Sequence, residues 1–210
     1  MDIPRQFLQW FYEKELWKTV RYHGVRTLKY PMDMWNYQEI IFERNIDWVV
    51  ETGTRHGGSA LFFADQLRAR GASGSVVTID PQPDLKFDIG ADLMIDLVIG
   101  DSGSAEVTQR VYSSMPPNRG PLLLILDSDH TKNHVLRELN GHVPWLRKGD
   151  YLIVEDTVIN GHPVRPDFGP GPREAIAEFL ATHSGILTPD WERNSRFGLS
   201  MADGGYFVRT

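Results

Sequence analysis

Short apolar runs alternate with longer mixed segments along most of the chain. The apolar runs predict strands at 48–51, 76–80, 93–99, 122–126 and 151–154. The segments between and after them predict helices at 58–70, 103–114, 133–146 and 173–183. Because the strands are continuously apolar and do not alternate with polar residues, they are typical of a parallel sheet buried on both faces.

The two ends of the chain depart from this alternation. An aromatic-rich segment predicts a helix over 4–22, and a second helix is expected at 36–44, so residues 1–45 form a helical N-terminal cap. Near the C-terminus, 197–208 predicts a hairpin that turns at Asp203-Gly204-Gly205. A length of 210 residues fits one domain spanning 1–210. The expected fold is an open, mostly parallel α/β sheet, wound on both faces, with a terminal hairpin.

Composition excludes several classes of function. The 22 basic and 28 acidic residues give a net charge of −6 without a basic block, so nucleic acid is not an expected partner. The absence of cysteine excludes disulfides and thiolate metal sites. The longest aliphatic run, 122–126, is far below the ~20 residues that cross a bilayer, and the charged N-terminus lacks the apolar core of a signal peptide. We expect a soluble, cytoplasmic protein that does not contact membranes.

A glycine-rich loop joins the first predicted strand to the helix that follows. Glu51 ends the strand, and Gly53, Gly57 and Gly58 precede Ser59 at the helix start. Such a loop brings the backbone and the helix N-terminal amides close to a ligand. Its spacing matches neither the G-x-G-x-x-G dinucleotide loop nor a P-loop, which requires lysine at the position of Gly58. From the loop alone, a cradle for a ligand and a tight turn without one remain open.

Acidic residues follow every one of the predicted parallel strands, at the sheet edge where ligands of open α/β sheets bind. Asp80, which follows the second strand, is placed to accept hydrogen bonds from ribose hydroxyls, and Asp101 and Ser102 could face an adenine. Three further acids suit an octahedral, oxygen-bound cation such as Mg²⁺, namely Asp129, Glu155 and Asp156. His130, Lys132 and His134 are close enough in sequence to assist there.

These motifs, in this order, resemble the cephalosporin-hydroxylase/rhamnosyl O-methyltransferase family of S-adenosylmethionine-dependent enzymes. The similarity extends over about 31–208 and is carried by these segments: Pro31-Met-Asp33, Tyr37-Gln-Glu39, Val50 to Phe62, Ile79-Asp80, Gly100-Asp-Ser102, Leu126 to His130, Gly149-Asp-Tyr151, Val154 to Thr157, Gly161-His-Pro163, Gly169 to Pro172 and Gly205-Tyr206. The resemblance implies a Rossmann-like, seven-stranded sheet with an antiparallel last strand. It also implies a magnesium site on Asp129, Glu155 and Asp156.

The resemblance further assigns roles to single residues. The expected S-adenosylmethionine contacts are Glu51, Gly53, Thr54, Gly57, Ser59, Asp80, Asp101, Ser102 and Asp127. In the similar catechol O-methyltransferases the general base is a lysine three residues after the first metal-binding Asp, an offset that Lys132 matches here, while His130 or His134 could serve instead. The acceptor is expected to be a hydroxylated sugar or natural product, activated by Mg²⁺. His162 and Arg165 in the Gly/Pro-rich loop 160–172 are candidate acceptor contacts, although that loop could equally be a rigid surface excursion.

Two other functions fit parts of the sequence. Asp127-Ser-Asp129-His-Thr131 spells the D-x-D-x-T motif of haloacid-dehalogenase-like phosphatases, in which Asp127 would be the nucleophile and Asp129 the acid/base. That function leaves the glycine loop and Asp80 without a role. A non-catalytic protein on a methyltransferase scaffold is the second alternative. The aromatic N-terminus fits either a substrate lid or an oligomer contact, and a homo-oligomer is expected.

Overall fold

The computed structural model describes residues 2–210 and places a seven-stranded sheet at the centre of the molecule. The strands, in chain order, are β1 (Arg21–Tyr22), β2 (Val25–Arg26), β3 (Trp48–Thr52), β4 (Val76–Asp80), β5 (Ile95–Ile99), β6 (Leu122–Leu126), β7 (Tyr151–Val154), β8 (Leu187–Pro189) and β9 (Tyr206–Arg209). The helices are α1 (Ile3–Glu13), α2 (Pro31–Glu43), α3 (Gly58–Arg70), α4 (Ala105–Ser113), α5 (Lys132–His142), α6 (Pro172–Thr182) and α7 (Trp191–Ser195). β1 and β2 form a separate small hairpin.

The large sheet has the strand order β5-β4-β3-β6-β7-β9-β8. The first five strands are parallel, whereas β9 runs antiparallel to β7 and to β8. This confirms the Rossmann-like, mostly parallel seven-stranded α/β fold with an antiparallel C-terminal strand. The strand order reverses between β3 and β6, and that reversal point is where open α/β sheets bind ligands.

Both faces of the sheet are buried, as the continuously apolar strands predict. Along β6, Leu122, Leu124 and Leu126 pack under α4, α5 and α6, whereas Leu123 and Ile125 pack under α2 and α3. A third apolar cluster joins α1 to the loop after β7 through Leu8, Phe11 and Val158. The N-terminal segment is therefore packed over the carboxyl edge of the sheet. No helix of the described chain is long and apolar enough to span a bilayer.

Three features predicted near the two ends of the chain are wrong. The first helix ends at Glu13, because Glu15 adopts a left-handed φ of 51° and a 3-10 turn and the β1–β2 hairpin follow. The second helix begins five residues early, at Pro31, since proline is favoured at the first helical position. The last strand, β9, pairs with β8 across the intervening α7 and does not form a hairpin with residues 197–202.

Candidate active site at the carboxyl edge of the sheet

A cavity of about 760 Å³ lies over the point where the strand order reverses. Residues that follow four adjacent strands form its floor: Gly53 after β3, Asp80 at the end of β4, Asp127 after β6 and Glu155 after β7. The N-terminal segment and the loop 160–172 cover it with Tyr12, Trp17, Tyr30, Arg165 and Phe168. Its volume is within the range of small-molecule sites.

The glycine loop brings bare backbone to the cavity. Gly53 has a φ of +89°, and a Cβ there would lie 1.9 Å from the backbone oxygen of Asp127, so only glycine fits. The loop also orients Asp80, whose carboxylate accepts hydrogen bonds from the backbone N–H of Arg55 at 2.9 Å and of Gln82 at 2.8 Å. Thr54 and Ser59 line the same region, whereas Gly57 packs against the Phe87 ring, outside the cavity lining.

Glu51 is fully buried beneath this loop and does not line the cavity. Its Oε2 accepts a hydrogen bond from the Thr78 hydroxyl at 3.0 Å, but Oε1 has no hydrogen-bond partner among residues 2–210. Burial outweighs the attraction of the Lys29 ammonium and raises the pKa of Glu51 to about 7. The carboxyl group is therefore partly protonated near neutral pH.

This raised pKa predicts a pH effect on stability. A folded-state pKa above the unfolded value stabilises the protein at low pH, and that contribution disappears as pH rises through the folded pKa of about 7. Glu51→Gln removes this titration. We therefore expect the loss of unfolding free energy between pH 5 and pH 8 to be smaller in Glu51→Gln than in the parent protein by at least about 1 kcal/mol. Urea unfolding of both proteins at the two pH values measures the difference, and equal losses would contradict it.

A lysine that the sequence analysis did not single out lies at the centre of the acidic cluster. Lys29, 2% exposed, contacts Asp127 and lies 2.6 Å from Glu155 Oε1 and 3.9 Å from Glu51 Oε1. Burial alone would lower the pKa of its ammonium, but the three carboxylates together raise it above its usual range. Lys29 is therefore a buried cation that links the ends of β3, β6 and β7. In the sequence, Lys29 stands out only as the single charged residue of the segment 28–32.

A group of side chains suited to a metal lies beside this lysine. Side-chain atoms of Asp127, His130 and Asp156 lie within 4.8 Å of one another, with His130 Nε2 3.1 Å from Asp156 Oδ2. Asp129 and Glu155 line the same cavity. Asp129 Oδ1 accepts the backbone N–H of Thr131, and Glu155 Oε1 accepts from Lys29. The second carboxylate oxygen of Asp129 and of Glu155 takes no part in these two hydrogen bonds.

The carboxyl groups around Lys29 repel one another. Burial, together with Asp127, raises the pKa of Glu155 well above its ordinary value. Burial also raises the pKa of Asp156, against the opposing attraction of His130. A bound divalent cation would relieve this repulsion, so the donor set, which is rich in carboxylate oxygen, fits Mg²⁺.

The other expected base and adenine residues form a second polar cluster along the cavity. His134 Nε2 lies 3.2 Å from the Ser102 hydroxyl, and Asp101 is held by the Arg137 guanidinium at 3.0 Å. Hydrogen bonds link these residues to one another, and they are separate from the group formed by Asp127, His130 and Asp156. The structure thus brings Asp80, Asp101 and Ser102 to one cavity, which His134 also lines.

Besides Glu51 and Gly57, two more of the expected site residues lie outside the main cavity. The Lys132 ammonium lies 2.6 Å from Glu178 on α6, outside the cavity lining. His162 lies 2.8 Å from Glu174 and lines a neighbouring cavity of about 400 Å³. Arg165 does line the main cavity, with its guanidinium 4.6 Å from the Phe168 ring centre. Among the three candidate bases, His130 is therefore the one beside the acidic cluster.

The sheet topology, the glycine loop and the acidic edge define a Rossmann-like methyltransferase. The chain belongs to the Rhamnosyl O-methyltransferase/CmcI family, which it matches over residues 14–210. It is 39% identical to the rhamnosyl O-methyltransferase of Mycobacterium tuberculosis over 214 residues, which cover 99% of this chain and 85% of that protein.

Solved structures share the fold. CmcI with Mg and SAM superposes with a TM-score of 0.70 at 24% identity, covering 92% of this chain and 77% of that one. CalS11, a TDP-rhamnose 3'-O-methyltransferase, gives 0.57 at 16% identity, with 85% and 79% covered. Family membership over nearly the whole chain decides against the phosphatase alternative, and the Asp127 carboxylate expected to act as its nucleophile is paired with Lys29.

Proposed function

We propose that this protein is an S-adenosylmethionine- and Mg²⁺-dependent O-methyltransferase that methylates a hydroxyl of a sugar or sugar-bearing small molecule. One observation carries the proposal: a glycine loop without room for a Cβ and a cluster of carboxylates face the same cavity at the reversal point of the sheet. The 39% identity to a rhamnosyl O-methyltransferase supports a rhamnosyl group as the acceptor.

In this proposal the cofactor is held by residues that follow β3, β4 and β5. Asp80 keeps lone pairs on both carboxylate oxygens for the two ribose hydroxyls, and Gly53 lines the cavity without a side chain. Asp101 and Ser102 line the same cavity and would face the adenine. The cofactor supplies the methyl group as an electrophilic sulfonium. Because Glu51 does not line the cavity, it would contribute to cofactor binding indirectly, through the polar residues that it contacts.

The proposed metal residues are Asp129, Glu155 and Asp156, which offer the oxygen ligands that Mg²⁺ prefers. The bound ion would supply a Lewis acid that lowers the pKa of a coordinated hydroxyl. Asp127 and His130 border this group. His130 is the proposed general base, because its Nε2 is 3.1 Å from Asp156 whereas Lys132 is engaged with Glu178. Arg165 would orient the acceptor, with His162 contributing from the adjoining cavity.

The remaining expectations are also part of the proposal. Residues 1–210 act as one methyltransferase domain, with 1–45 as a cap over the site. The cap packs on the loop after β7, which supports its acting with the rest of the chain as one unit. The protein works as a homo-oligomer and takes a small-molecule acceptor, without binding nucleic acid or membranes.

Calorimetric titration of S-adenosylhomocysteine, with and without Mg²⁺, tests cofactor binding directly. Asp80→Ala removes both ribose acceptors, and we expect it to weaken binding by at least about 100-fold, because each hydrogen bond to a charged group is worth about 1.5–3 kcal/mol. Asp88→Ala, which removes an exposed acid from the loop after β4, is the matched control and should bind as the parent protein does.

Two outcomes would contradict the proposal. A parent protein that does not bind S-adenosylhomocysteine at millimolar concentration is not a methyltransferase of this type. Equal affinities of the parent protein and Asp80→Ala would leave the cofactor proposal standing but remove the ribose assignment.

A further inference from the structure

Glu138, on α5, is fully buried behind the cavity wall. Its Oε1 accepts a hydrogen bond from the Ser102 hydroxyl at 2.6 Å and from the Ser128 hydroxyl at 2.7 Å, and both serines line the cavity. Its Oε2 is buried and has no hydrogen-bond partner in the described part of the chain. Burying a charged group costs free energy unless hydrogen bonds or ion pairs compensate it, and the two serine hydroxyls supply such hydrogen bonds to Glu138.

The position of each proton in this cluster follows from the donors around it. Arg137 has only donors, and its Nη2 lies 2.9 Å from His134 Nδ1, so Nδ1 must be the acceptor. Nε2 then carries a proton, and it lies 3.0 Å from Ser128 Oγ, 3.2 Å from Ser102 Oγ and 3.4 Å from Glu138 Oε1. The Nε2 proton of His134 therefore points at the serine oxygens and Glu138 Oε1, and both serine hydroxyls donate to Glu138.

Glu138 stays an acceptor at neutral pH. Burial acts to raise the pKa of its carboxyl group, but hydrogen bonds from His134, Ser102 and Ser128 outweigh burial and hold the pKa below its usual range. An ionised carboxylate has no proton to give. The hydroxyl protons of Ser102 and Ser128 are thus directed toward Glu138, and the two serine oxygens can present only lone pairs to the cavity.

We infer that Glu138 is a positioning residue that makes this stretch of the cavity wall accept hydrogen bonds only, and so selects a ligand that presents an N–H donor to Ser102 and Ser128. The inference rests on the proposed function and deepens it. The adenine of the cofactor carries one strong donor group, its exocyclic amine, whereas hypoxanthine carries a carbonyl oxygen at the same position. A carbonyl there would face two serine oxygens without a shared proton.

The test compares the affinities of S-adenosylhomocysteine and S-inosylhomocysteine by calorimetry. In the parent protein we expect the adenosyl compound to bind at least about tenfold more tightly. In Glu138→Gln the side-chain amide can donate to a serine and release a hydroxyl proton toward the cavity, so the ratio should fall to about threefold or less. Glu106→Gln, an exposed acid on α4, is the matched control and should keep the parent ratio.

The outcomes separate this inference from the proposed function. A parent protein that binds neither compound overturns the proposed function and, with it, this inference. Tight adenosyl binding with no preference over the inosyl compound, or an unchanged ratio in Glu138→Gln, overturns the inference alone. If Glu138→Gln does not fold by circular dichroism, Ser128→Ala, which removes one of the two acceptor oxygens, should lower the ratio about threefold. An unchanged ratio in Ser128→Ala would then contradict the inference.

Discussion

Replacing Lys29 with methionine is expected to lower the free energy of unfolding by about 3–5 kcal/mol, because breaking a buried ion pair by removing one partner leaves an uncompensated buried charge. Methionine fills a similar volume, so the loss reports charge and not a cavity. The carboxyl groups affected are Asp127, Glu155 and Glu51, which the ammonium links across the ends of three strands.

The pH dependence of the variant identifies the cause. Without the ammonium, the attraction of Lys29 no longer opposes the effect of burial at Glu51 and Glu155, so the pKa values of both groups rise further and both take up protons more readily in the folded state. A folded-state carboxyl pKa above the unfolded value destabilises the protein increasingly as pH rises. The deficit of Lys29→Met should therefore shrink when pH falls from 8 to 5.

Urea unfolding at the two pH values measures both effects. Lys18→Met, which removes an exposed lysine that pairs with Glu15 at the surface, is the matched control and should change stability by less than about 1 kcal/mol. A loss in Lys29→Met that is no larger than in the control would show that the buried ammonium does not hold the strand ends together. A large loss that is independent of pH would point to packing as its cause.

The parallel part of the fold could be predicted from the sequence because burial on both faces leaves a direct mark. The run Leu122–Leu126 is continuously apolar, and it is the fully buried strand beside the reversal point. The partner of β9 could not be predicted in this way. The strand 187–189 has three residues, two of them exposed, and so carries no apolar pattern. Its pairing depends on contacts with residues distant in sequence.

The same distinction applies to the site. Strand-end residues such as Asp80 and Asp127 could be predicted, because the carboxyl ends of parallel strands meet at one edge. Lys29 and Glu138 instead contact residues that are distant in sequence, since Lys29 donates to Glu155 and Glu138 accepts from Ser102. No local spacing encodes such contacts. Similarly, the offset of Lys132 from Asp129 suggested a base, but α5 directs that lysine toward Glu178 on α6.

Asp156→Asn is expected to reduce methyl transfer to a rhamnoside acceptor by at least about 100-fold, since a Lewis-acid metal contributes several kcal/mol to stabilising the developing charge. Asp156 is the one residue shared by the metal set predicted from sequence and by the cluster with Asp127 and His130. Calorimetry should show Mg²⁺ binding weakened at least about tenfold, with S-adenosylhomocysteine affinity within about threefold of the parent protein. Asp167→Asn, an exposed acid in the loop 160–172, is the matched control.

Two further variants decide which residues complete the metal site. Mg²⁺ prefers oxygen ligands, so Asp129→Asn should weaken its binding, whereas His130→Ala should leave Mg²⁺ affinity within about threefold. His130→Ala should instead slow methyl transfer by about 100-fold, as loss of a general base requires. The opposite pattern, in which His130→Ala loses Mg²⁺ and Asp129→Asn keeps it, would assign the metal to Asp127, His130 and Asp156 and leave the base to be sought elsewhere.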